Sequence, residues 1–243
     1  MHTPRIVDPA APVKRSWIHR AIREWVTPIL LVLAIMLPLR SAVADWCDVP
    51  TGSMEPTILP GDRIAVNRLA FGLRVPFTES TWIAQWSSPV RGDIVVLHSP
   101  AAGSTRLVKR VVGLPGDTIE LRANRLIING VPVSYANLDP TIVAQIDAAR
   151  QGRHEFAREA LPGHAHAIML TPGSAVPRSF GPVTIPPRQY LVLGDSRDNS
   201  ADSRAFGLVS QDRIVGRSSW VALSFDPANW YLPRFDRWGR SLD

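Results

Sequence analysis

The first strong pattern along the chain is an apolar run from Trp25 to Leu39 (WVTPILLVLAIMLPL). As a helix its fifteen residues span about 22 Å at ~1.5 Å each, short of a ~30 Å hydrocarbon core. Extending the helix to residues 21–43 closes that gap. Arg40 is then placed to snorkel, and Trp17, Trp25 and Trp46 fall where an interfacial belt sits. Downstream the texture changes to short runs rich in branched residues. Strands are predicted over 63–69, 92–97, 106–113, 189–193 and 212–225, the first two each with a Gly-Asp pair. Residues 118–135 (TIELRANRLIINGVPVSY) read as a meander, with Asn129-Gly130 as its hairpin turn. Between 136 and 188 the pattern weakens: 141–161 looks faintly helical, and the rest is rich in Pro, Gly and His.

These patterns predict a mainly β protein. A tail (1–20) and one membrane helix (21–43) precede an antiparallel β domain made of 44–135 and 189–243, with 136–188 inserted as a smaller cap. Length and composition agree: 243 residues suit one or two domains, and 45% apolar with 20% charged residues excludes wholesale disorder. The lone Cys47 excludes an internal disulfide and a cysteine-based zinc site.

Charge decides orientation. The chain carries +6, and Arg5, Lys14, Arg15, Arg20 and Arg23 precede the apolar run against only Asp8 and Glu24. The positive-inside rule then leaves the N-terminus in the cytoplasm and exports the remainder. Export argues against nucleic acid as the partner of the basic charge. The same segment also reads as a cleavable signal peptide, with Ala42-Val43-Ala44 as its Ala-x-Ala site.

Four segments carry candidate chemistry. In Pro50-Thr51-Gly52-Ser53-Met54-Glu55-Pro56-Thr57, Ser53 stands nine residues beyond Ala44, and the Gly-x-Ser-x-Gly pattern of a nucleophile elbow is missing. In 106–112 (RLVKRVV), strand alternation puts Lys109 on one face with Leu107 and Val111. A lysine so placed loses hydration, its pKa falls, and as a neutral amine it can deprotonate a serine. On a half-buried strand it can equally be a snorkelling side chain. Residues 194–204 (GDSRDNSADSR) are dense in carboxylates, but counted from Asp198 the EF-hand positions for Gly and Glu hold Ser203 and Val209. Carboxylate–guanidinium pairs fit that loop better. Gly92-Asp93-Ile94-Val95-Val96 is an architectural turn and strand. His98 is a candidate alternative base for Ser53, and His164 with His166 a weak metal candidate that reads better as a solvated loop.

Taken in order, PTGSMEPTILPGD, RGDIVVL, RLVKRVVGLPGD and LGDSRDNSADSRAFG resemble the type I signal peptidases, membrane-anchored serine proteases that remove signal peptides. The resemblance runs from residue 50 to about 217. It implies Ser53 as nucleophile and Lys109 as general base, without a cofactor. The Thr51 hydroxyl and Ser53 N–H would form the oxyanion hole, with threonine at a position where family members often have serine. Ser200 would orient the lysine, and Asp202 and Arg204 would form a structural pair. Substrates would be preproteins with small residues at −3 and −1, cut at the outer face of the cytoplasmic membrane beside its lipids. Because the family keeps its anchor, the resemblance favours an uncleaved span over the signal-peptide reading. The chain departs from some members in having room for one span and no disulfide. Alternatives are a dedicated processing peptidase of a secretion or conjugation system, and a catalytically silent module that only binds signal peptides. The aromatic stretch Trp220 to Trp238 fits either a headgroup contact or a tail packed on the β core.

Overall fold

Turn chemistry fixes much of the architecture. Asn129 and Gly130 both take left-handed backbone (φ 53° and 79°), the conformation that a tight hairpin needs and that these residue types tolerate. Ala123 and Asn124 (φ 47° and 62°) turn the preceding hairpin in the same way. The strands they join, Thr118–Arg122, Arg125–Ile128 and Val131–Pro132, form an antiparallel sheet with Phe180–Thr184. The computed structural model behind this description covers residues 22–75, 78, 81–101 and 105–242.

The chain divides between Arg40 and Ser41 into two units. In the first lie a short π-helix Ile22–Val26 and most of the α-helix Thr27–Val43, whose last three residues fall beyond Arg40. Ile29, Leu30, Leu31, Val32, Leu33 and Met36 are all exposed on it. At 17 residues the α-helix is about 25 Å long. Among the described residues no helix is long and apolar enough to cross a membrane. The expected tail 1–20 and Trp17 lie outside the described residues.

The second unit is built on one antiparallel sheet. Its order is Val209–Ser210, Gln189–Leu193, Arg106–Gly113, Ile94–His98, Ile214–Ser218, Asp62–Asn67, Val221–Asp226 and Leu232–Pro233, with Ala44–Asp48 also paired to Asp62–Asn67. The expected strand 212–225 is two, separated at Ser219 and Trp220. Alternation along Arg106–Gly113 sends Val108 into a core with Met54 and Ile64, while Leu107 and Val111 pack with Val95, Leu97 and Tyr190.

The stretch expected to be faintly helical differs most. Residues 141–161 contain only the four-residue helices Pro140–Val143 and Ala148–Gln151, each capped by an aspartate, before strand Glu155–Leu161. That strand pairs with Ser134–Asn137 and His164–Leu170 in a sheet of its own. Non-local pairing has overridden the weak local helical signal.

Candidate active site

Ser53 occupies a 3-10 turn, Gly52–Met54, entered from the extended Thr51 and closed by Glu55 N–H donating to Gly52 O at 3.1 Å. Met54 is fully buried and roots the turn in the core, while Ser53 stays half-buried and reachable. The Ser53 carbonyl accepts from Ser196 N–H at 3.1 Å, which ties the turn to the 194–204 loop. Gly194 makes that approach possible, since a Cβ there would lie 2.5 Å from Ser53 O and would also strike Ser200.

Lys109 arrives from strand Arg106–Gly113, opposite Val95. Its side chain is 2% exposed, and Nζ donates to Ser53 Oγ at 2.9 Å and to Val108 O at 2.8 Å. Among the described residues no carboxylate comes within ion-pair distance of it. Burial lowers its pKa from 10.5 to about 8; Asp202 and Asp195 pull it upward, and Arg204 pushes it down.

Behind this pair lies a layer of satisfied ions. Arg110 grips Asp195 through two bonds of 2.9 and 2.8 Å, and Thr57 donates to the same carboxylate at 2.6 Å. Arg197, fully buried, forks onto Glu159. Arg204 binds Asp202 at 2.8 Å through both Nε and Nη2, and Gly194 N–H donates to Asp202 at 3.0 Å. Burial works to raise the Asp202 pKa, but Arg204 and Gly194 outweigh it and hold the carboxyl below its ordinary range, with the nearby Ser200 hydroxyl acting in the same direction.

The structure thus brings Ser53 and Lys109 into hydrogen-bond contact and pairs Asp202 with Arg204. Thr51 stands at the entry of the turn, exposed, with a side chain that caps nothing. Ser200 is buried beside Asp202, and among the described residues its hydroxyl makes no hydrogen bond to the lysine; the second contact of the amine is to Val108 O. His98 sits three residues along its strand from Val95, paired with Arg106 rather than Lys109.

His164 and His166 stack, their centroids 5.9 Å apart, and His164 Nε2 lies 3.1 Å from Arg110 Nη1. His166 is buried, not solvated, and its pKa is pushed well below 6.5 by burial, then by Arg110, Arg197 and His164. No cluster of ligands suited to a metal occurs among the described residues. Sequence reasoning missed Glu55, 1% exposed, and its partner Arg150; no local signal joins positions so far apart.

A half-buried serine hydroxyl against a buried amine, on an antiparallel β frame, has the arrangement of a serine hydrolase that uses a lysine. The family model for signal peptidase, peptidase S26, matches residues 22–223. A signal peptidase I of Pseudomonas fluorescens is 34% identical over 222 residues, covering 86% of this chain and 75% of the relative. A signal peptidase I of Pseudomonas aeruginosa is 35% identical over 220 residues, with the same coverages. Signal peptidase I S of Bacillus subtilis is 30% identical over 208 residues, covering 85% of this chain and 92% of that one. A crystal structure of a signal peptidase I from Enterococcus faecalis V583 shares 31% identity over 54% of this chain and 97% of that one, with a TM-score of 0.33, too low to bear on the fold. The chain belongs to the signal peptidase family, peptidase S26. Its enzyme class is that of the type I members, the serine endopeptidases.

Proposed function

We propose that this chain cleaves N-terminal signal peptides from exported preproteins at the outer face of the cytoplasmic membrane, with Ser53 as nucleophile and Lys109 as general base. The observation that carries the mechanism is the 2.9 Å contact between Nζ and Oγ, made by an amine that burial has shifted to about 8. In the neutral amine, Val108 O keeps one N–H and the lone pair is left to accept the Ser53 proton. The alkoxide attacks the scissile carbonyl as the lysine becomes an ammonium. The exposed Thr51 hydroxyl and the Ser53 N–H stabilise the resulting oxyanion. The ammonium then protonates the departing amine, leaving an acyl-Ser53 that a water deprotonated by Lys109 hydrolyses.

The substrate class follows from the family, and small residues at −3 and −1 follow from the resemblance of its motifs. Membrane placement is supported by the basic flank, the exposed apolar residues Ile29 to Leu33 and Met36 of the first α-helix, and the exposed Trp230, Tyr231, Phe235 and Trp238. The test is cleavage of preproteins of different origin by the full chain and by Ser53→Ala. Loss of all cleavage in a folded Ser53→Ala supports the reading, and retained cleavage overturns it. Cutting of one preprotein alone would show a dedicated processing enzyme. Protease added to spheroplasts should digest residues 50–243; a resistant domain would overturn the topology.

A further inference from the structure

Residues 134–170 contribute nothing to the dyad, yet their side chains reach the loops that build it. Glu159 pairs with Arg197 of the 194–204 loop, His164 touches Arg110 beside Lys109, and Arg150 reaches Glu55 in the nucleophile turn itself. The last contact differs from the others. Glu55 is 1% exposed, and among the described residues Arg150 is the only cation within ion-pair distance of it. Arg150 Nη1 and Nη2 donate to Glu55 Oε1 and Oε2 at 3.1 and 2.8 Å, so both carboxylate oxygens are fixed.

The carboxylate so held lies directly against the residue before Ser53. A Cβ built on Gly52 would stand 2.5 Å from Glu55 Oε2 and 2.8 Å from Cδ. Glu55 also closes the turn through its own N–H. The carboxylate's outer side faces a cavity of about 530 Å³, lined by Gln145, Asp147, Arg150, Arg234 and Arg237 as well as Glu55. Without the Arg150 fork the carboxylate loses its one ion-pair partner among the described residues, and the cavity leaves it room to move away from Gly52.

We propose that Arg150, carried by the inserted segment, is a positioning residue: its fork presses the Glu55 carboxylate against Gly52 and so sets where the Ser53 hydroxyl stands relative to Lys109. The proposal rests on Ser53 being the nucleophile. It gives the insertion a role in the reaction that does not involve touching substrate.

The test compares Arg150→Ala, Arg150→Lys and the double variant Glu55→Gln/Arg150→Ala in the full chain, with kcat, KM, a pH profile and thermal melts on one preprotein. A nucleophile displaced by a fraction of an ångström to about 1 Å should cost roughly ten- to a hundredfold in kcat. KM should stay within about twofold, because the substrate contacts are untouched. The rising limb of activity should stay near pH 8, since Glu55 is not among the charges that set the Lys109 pKa. The double variant removes the stranded charge, so its melt should recover while kcat does not. If Arg150→Ala fails to fold, Arg150→Lys, which keeps the charge but loses the fork, should remain folded with kcat lowered. Wild-type kcat in a folded single variant, a change in KM alone, or joint recovery of melt and kcat in the double variant would overturn the proposal. Ser53→Ala run alongside separates the two ideas: if it still cuts, the nucleophile assignment has failed; if it is dead while Arg150→Ala is fully active, only the positioning role has failed.

Discussion

Lys109 and Arg110 are neighbours on one strand and equally buried, at 2% and 1% exposure, yet they meet opposite surroundings. Arg110 turns to Asp195, Gly92 O and His164, and every face of its guanidinium is engaged. Lys109, on the other face, meets a hydroxyl and a carbonyl but, among the described residues, no carboxylate within ion-pair distance. Burial alone therefore does not make a cation reactive. The guanidinium is charged in any surroundings and here is tied into the structure by its carboxylate; a buried lysine without a carboxylate partner holds its proton weakly and becomes a base. The strand separates the two roles by one residue, because successive side chains leave opposite faces.

The most severe test of the contrast is to make both residues methionine. Lys109→Met should abolish cleavage. Its effect on stability has the opposite sign to the usual loss of a buried charge. The folded lysine titrates near 8 and the unfolded one near 10.5, so the unfolded chain binds the proton more tightly. The penalty on the fold, on the order of 3 kcal/mol, is complete below pH 8, shrinks as pH rises, and is gone above the unfolded value. Near pH 7 the methionine variant should therefore be at least as stable as the native chain in a denaturant melt. Arg110→Met strands the buried Asp195 carboxylate and should cost about 3–5 kcal/mol in the same melt. If both variants lost stability equally, Lys109 would be a structural ammonium and the contrast would collapse.

Next in size is the oxyanion. Removing one donor typically costs about 3–4 kcal/mol, a hundred- to thousandfold in turnover. Thr51→Val keeps the side-chain shape and should show that loss in kcat, while Thr51→Ser should not. Equal rates for valine and threonine would remove Thr51 from the mechanism.

The two sides of the strand were not equally legible in the sequence. Lys109 between Leu107 and Val111 follows from period-two alternation, and Asn129-Gly130 announces its own hairpin, since both signals are local. The density of Asp and Arg in 194–204 suggested ion pairs, and Asp202–Arg204 lies within that window. The partners of Arg110 and Arg197 lie 85 and 38 residues away, and no local spacing encodes them. Glu55–Arg150 is hidden for the same reason, with its arginine in a segment that reads as weakly helical. Strand Glu155–Leu161 was masked because alanine and glutamate favour helix until a partner strand is supplied. Even the orienting acceptor, Val108 O, could not be read, because backbone carbonyls have no letter of their own.

A smaller effect tests the pH side of the comparison. Only the neutral amine accepts the serine proton, so kcat/KM should climb with pH through about 8 and level above it. Stability and activity then rise together over that interval, for one shared reason: the lysine sheds a proton that the fold holds poorly. A limb centred near the ordinary histidine value of ~6.5 would point to a different base.

The smallest expected change belongs to His98, the residue a histidine-based site would need. It pairs with Arg106, while Lys109 pairs with Val95, so three residues of strand separate their rungs, about 10 Å at ~3.3 Å per residue. The odd separation also turns the His98 side chain to the face opposite Val95. A base must lie within hydrogen-bond reach of the proton it takes, and that place beside Ser53 is held by the lysine amine. His98→Ala should therefore leave turnover within severalfold of the native chain, with the limb near pH 8 unmoved; the change that does occur should be a modest loss in the melt, because a side chain 7% exposed is removed. A His98→Ala chain that is folded and as inactive as Ser53→Ala would transfer the base from Lys109 to the histidine, and the difference between the two faces of the strand would have to be explained by packing alone.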